Sequence, residues 1–161
     1  MKRDKATKLT TAVAVIVIAL YGLQLHYRYV AEFPAFVHSW SQTDRYAIAI
    51  GFLNNNFDLF HPETLILNKQ YPHWWKHADS SAITAVDFPI HEYAVAAAMK
   101  LTGNTSPIVF RLFTLLVALV GMVFLFKLAK ELTGHWLKGL LVALVALASP
   151  VYAYYAAGFI P

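Results

Sequence analysis

Two acids in this 161-residue chain stand where an acid is costly unless something uses it. Asp44 lies in HSWSQTDRY and Asp87 in AVDFPIHEY, each next to an apolar run that reads as a short helix. A carboxylate beside apolar sequence at a membrane surface is either a helix cap or a functional group. Capping accounts for each acid taken alone. An acid in the first turn meets the positive end of the helix dipole, and Asp-x-Pro ahead of a helix is ordinary N-terminal chemistry. Taken together they suggest more. Two acids at the starts of two short helices, on one side of one membrane, could line a single pocket. A partly desolvated carboxylate there holds its proton more tightly and can act as a general base.

The other polar groups are less specific. His61, His73, His77 and His91 are scattered, and no HxxxH or HExxH spacing is present. Asp87 and His91, four residues apart, could share a ligand on one helix face or simply be solvated. Tyr71, Trp74 and Trp75 could stack on a sugar or anchor a loop at the headgroups. Arg45 and Arg111 suit phosphate, because guanidinium matches phosphate geometry. Arg111 also fits the role of a long side chain snorkelling from a helix end.

The elements that must position these residues are membrane helices. The chain is 58% hydrophobic and only 14% charged, which places it outside the usual soluble range. With no cysteine, disulfide frameworks and thiolate sites are excluded. The charge of +4 forms no basic patch interleaved with aromatics, so no nucleic-acid partner is expected. Three spans are predicted, over residues 9–27, 108–129 and 139–157, since a spanning helix needs roughly 20 apolar residues. A basic N-terminus over residues 1–8 and a basic link over 130–138 put both on the cytoplasmic side by the positive-inside rule. No small-x-small cleavage site follows the first apolar run, so it reads as an uncleaved anchor. Pro150 is expected to kink or end the third span.

Between the first two spans, residues 28–107 form a long extracytoplasmic loop. It is predicted to hold short interfacial helices near 44–54, ended by Asn54-Asn55-Asn56, and near 89–102, opened by Pro89 and closed by Gly103. The fold expected is therefore an all-α membrane protein with about three transmembrane helices and two short interfacial ones.

This arrangement resembles the N-terminal region of the GT-C superfamily of integral membrane glycosyltransferases. The residues that carry the likeness are Trp40 to Asp44 as W-x-x-x-D in the first outer loop, Asp87-Phe88-Pro89 opening a helix, and Gly-x-x-Ser-Pro leading into a span with an early Arg111. The group similar to dolichyl-phosphate-mannose protein mannosyltransferases and aminoarabinose transferases (glycosyltransferase family 39-like) fits best. The likeness implies inverting transfer of a sugar from a polyprenyl-phosphate donor to a lipid, glycan or protein acceptor at the outer face of a bacterial inner membrane. Asp44 would be the catalytic base and Asp87 a second catalytic acid, in some members a ligand of a divalent metal. Trp40, Gln42, Arg45, His91, Trp74 and Trp75 would bind substrate; no other cofactor is implied. Asp87-Phe88-Pro89-Ile90 lacks the second proline and the lysine of the aminoarabinose-transferase version, so that substrate is not expected. Family members carry around a dozen spans, so this chain is expected to be a fragment of a larger membrane domain, inactive by itself. The competing expectations are a non-catalytic assembly or anchoring subunit whose outer loop binds a partner, and part of a polyprenol-dependent transporter.

Overall fold

Regular structure in the computed structural model, which describes residues 2–64, 84 and 86–160, is helical throughout. In chain order the helices are α1 (Lys2–His26), α2 (Ser39–Asn54), α3 (Ile90–Thr102), α4 (Pro107–Thr133), α5 (Trp136–Ala148) and α6 (Pro150–Ala156). Two of them are long and apolar enough to cross a membrane: α1 over Thr7–His26, and α4 over its full length. A third crossing is reached only if α5 and α6, bent by 76° at the break between them, count together. The bend falls at Pro150, whose ring removes a backbone donor and crowds the preceding turn. The run over 139–157 is therefore two helices rather than one.

The chain divides into two compact units. The first comprises Met1–Ala31 and Arg111–Gly158. Its core is built from stripes spaced three and four residues apart: Ala14 and Ile18 on α1, Met122 and Phe126 on α4, Leu140, Ala143 and Leu147 on α5. The opposite faces are equally apolar. Ile16, Leu20, Leu116, Phe124, Leu141 and Val145 are all exposed. Helices greasy on every side suit a lipid environment, where exposed leucine costs nothing.

Two side chains from other helices, His26 and Arg111, meet carbonyls at the end of α6. His26 places Nδ1 2.7 Å from the Gly22 carbonyl and Nε2 2.7 Å from the Ala153 carbonyl. Arg111 Nη1 donates to the Ala157 carbonyl at 2.9 Å. Arg111 thus caps a helix end, where the last carbonyls lack intrahelical partners and favour positive charge.

The second unit comprises Glu32–Phe110 and Phe159–Pro161. Its core pairs α2 with α3. On α2 the residues Arg45, Ile48, Ala49 and Phe52 follow the i, i+3, i+4, i+7 pattern, and Glu92, Val95, Ala96 and Met99 repeat it on α3. Ile48, Phe52 and Ala96 are buried together, with Leu53, Phe57 and Tyr93 packed around them. Each fully buried large side chain contributes about 1.5–3 kcal/mol. Tyr46 joins a second aromatic group, its ring against Phe33, Phe110 and Phe159, while its hydroxyl donates to the Thr105 carbonyl.

Local chemistry sets the helix limits. α2 starts five residues before the predicted helix, at Ser39, after His38 in the left-handed conformation. The polar residues Ser39 to Thr43 tolerate the helix because their side chains bond to it. Gln42 Nε2 donates to the Val37 carbonyl at 2.8 Å, and Thr43 Oγ1 to the Ser39 carbonyl at 2.8 Å. At the other end, Asn55 is the C-cap. α3 follows Pro89 and ends at Gly103, whose φ of 63° is the left-handed conformation that glycine adopts without strain.

Gly51 is required for a different reason. A β-carbon there would collide with the backbone carbonyl of Glu63, which crosses directly over α2. Gly51→Ala is expected to destabilise the protein by about 1–3 kcal/mol, as overpacking against unyielding backbone does. Thermal unfolding in detergent reads this directly, and an unchanged midpoint would refute the close approach.

Candidate functional site

The site grows from the ion pair at the head of the two buried stripes. Arg45 on α2 donates from Nη1 to Glu92 Oε1 on α3 at 3.1 Å. From Nη2 it reaches Asp87 Oδ2 at 3.4 Å. The two acids differ sharply in setting: the Glu92 side chain is 1% exposed and that of Asp87 94% exposed. One guanidinium thus holds a buried and a solvated carboxylate at once, and it ties HSWSQTDRY to AVDFPIHEY.

Glu92 was not among the residues singled out from sequence. The signal was present nonetheless: an acid occupying the first position of an apolar i, i+3, i+4, i+7 stripe must be paired, because a buried carboxylate cannot stand alone. Arg45 holds the same position on the stripe of α2, so the two charges answer one another.

Asp44 is placed differently from the expected cap. It lies in the second turn of α2, and the first turn contains no acid. The cause is the early start of the helix at Ser39, so capping does not explain this residue. Asp44 is half-buried, with no hydrogen bond or ion pair among the described residues. Adjacent helical residues project about 100° apart, so Asp44 and Arg45 face different directions. Asp87 is not a cap either: Pro89 is the N-cap residue of α3, which has no side-chain cap bond.

The remaining candidates separate. Trp40 is 72% exposed on the first turn of α2. Gln42 is buried, its amide engaged with Val37, so it shapes the start of α2 rather than facing a ligand. His91 packs beside the Phe110 ring, centroids 5.3 Å apart. Because Asp87 precedes the helix, His91 and Asp87 do not share a helical face, and the four-residue spacing loses its meaning. Trp74 and Trp75 lie outside the described residues. Arg45 is committed to two carboxylates and Arg111 to the Ala157 carbonyl, so neither stands as an open phosphate ligand.

Among the described residues no group of three His, Asp or Glu side chains could hold a metal ion. Asp87 faces a guanidinium, an unfavourable neighbour for a cation. The expectation that Asp87 ligates a metal therefore finds no donor set here, and no step is assigned to one.

His91 carries a pH dependence. Burial pushes its pKa below the usual histidine range; the adjacent Glu92 carboxylate pulls the other way, and Arg45 adds to the lowering. The folded protein therefore binds fewer protons at this site than the unfolded chain. Stability from this group is full above the ordinary histidine value of about 6.5 and is lost as pH falls through the lowered folded value. The melting temperature in detergent is expected to drop between about pH 7 and about pH 5. His91→Gln should flatten that slope; an unchanged slope in the variant would assign the dependence to other groups.

Comparison of the chain with protein-family models, with curated proteins and with solved structures yields no match.

Proposed function

We propose that this chain is the N-terminal part of an inverting membrane glycosyltransferase that takes its sugar from a polyprenyl-phosphate donor. The observation that carries the reading is the Arg45 bridge, which brings the segment bearing Asp44 against the segment bearing Asp87. In this reading α1 leaves the cytoplasm, residues 28–107 stand on the outer face of a bacterial inner membrane, and α4 returns. An acceptor hydroxyl gives its proton to Asp44 as its oxygen attacks the anomeric carbon. The bond from that carbon to the phosphate oxygen breaks, and the lipid phosphate leaves with the electron pair. A half-buried carboxylate with no ion-pair partner among the described residues suits the base, since its lone pairs can take up a proton. Asp87, held by Arg45, has a solvated carboxylate that can accept hydrogen bonds from sugar hydroxyls.

The test uses the full-length protein in proteoliposomes with radiolabelled polyprenyl-phosphate sugars. The expected result is a transferred sugar with inverted anomeric configuration. Retained configuration, or no transfer from any such donor, would remove this assignment.

A further inference from the structure

In the second unit the short helices turn most of their apolar residues inward, and Ile90 and Leu101 at the two ends of α3 are the exceptions there. The apolar run of α2 was expected to lie on the membrane, yet Ile48, Ala49 and Phe52 are buried, in the core shared with α3. One run of large exposed side chains leads into the first turn of α2: Phe33 is 65% exposed, Phe36 86%, Val37 58% and Trp40 72%, whereas Phe60, Phe88, Ile90 and Leu101 are exposed elsewhere in the unit. Positive φ values at Phe36 and His38 (63° and 56°) coil the chain through this stretch. Non-glycine residues seldom adopt that conformation.

We infer that residues 33–40 form a membrane-seated edge, with Phe36 and Trp40 lying in the headgroup–acyl boundary of the bilayer. Three observations select lipid as the occupant. The eleven residues 33–43 contain no Asp, Glu, Lys or Arg, so the patch offers no charge to a macromolecular partner. Its large residues are of the aromatic kind that gathers at membrane interfaces. It also continues a span: only Tyr27 to Glu32 separate Phe33 from the end of α1, and Tyr27 and Tyr29 in that link are 55% and 60% exposed. Exposed aromatic residues therefore recur along the chain from the end of α1 to the first turn of α2, at Tyr27, Tyr29, Phe33, Phe36 and Trp40. Such a seat would hold the segment bearing Asp44 at the height of a lipid headgroup. The inference goes beyond the proposed function and stands whether or not the chain transfers sugar.

The experiment is a depth measurement in nanodiscs on the full chain carrying Trp74→Phe, Trp75→Phe and Trp136→Phe, which leaves Trp40 as the sole indole. Lipids brominated near the carbonyl end of the acyl chain are expected to cut Trp40 emission to about half or less, the response of a ring about 5–10 Å below the surface. Aqueous iodide should quench it little. Strong iodide quenching without lipid quenching overturns the inference. Shielding from both quenchers also overturns it, because a protein contact would then cover the patch. A second reading avoids the triple substitution. The protein has no cysteine, so Phe36→Cys gives one spin-label site. Its collision rate with oxygen should exceed that with a water-soluble nickel chelate, and the reverse order overturns the inference.

Discussion

Asp44→Asn is expected to slow sugar transfer by about 10²–10⁴-fold, the range a well-placed general base contributes. The substitution keeps the size of the side chain and removes only its capacity to take a proton. Asp44 makes no described hydrogen bond or ion pair and does not cap α2. The fold therefore has little to lose, and the melting temperature should stay within the scatter of surface substitutions, about 0.5 kcal/mol. A slow, fully folded variant is the outcome that identifies the base. Wild-type rates would remove Asp44 from the mechanism. A variant that fails to fold would show instead that the carboxylate is structural.

Glu92→Ala is expected to cost about 3–5 kcal/mol, because it leaves the Arg45 guanidinium in a largely buried position without its close partner. Asp87→Asn, at the solvated end of the same guanidinium, is expected to cost no more than about 1 kcal/mol. The two distances are similar, 3.1 and 3.4 Å, so burial and not length decides the ranking. Equal losses in chemical or thermal unfolding would contradict the buried placement of Glu92. A further variant separates folding from chemistry. Replacing both partners, Arg45→Met with Glu92→Leu, removes the buried charges together and should be near neutral or stabilising. It also releases Asp87 from its only described ion pair. If the bridge serves the site, transfer falls in this double variant although the protein is as stable as before. Retained transfer would confine the pair to a packing role.

Much of the architecture was legible because its cause is local. Spans at α1 and α4 follow from runs of apolar residues long enough for a bilayer, and the limits of α3 follow from Pro89 and Gly103. The start of α2 was not, because Ser39 to Thr43 are residues of no strong preference. What carries the helix through them is a set of side-chain bonds, such as Gln42 to Val37, that exist only once the chain has turned at His38. That five-residue difference moved Asp44 out of the cap position and changed the meaning of the most prominent acid in the sequence.

By itself, then, the sequence determined the helical class, the apolar spans and the presence of two acid motifs, since composition and periodicity act over neighbouring residues. Which charges meet was decided by the tertiary structure alone. Arg45 and Glu92 are 47 positions apart, and their pairing depends on the angle at which one buried stripe meets another. The same packing buried the apolar face of α2, left Trp40 and Phe36 exposed, and set Asp87 against a guanidinium. Long-range pairing is settled by which burial satisfies every charge it encloses, and that condition has no local signature.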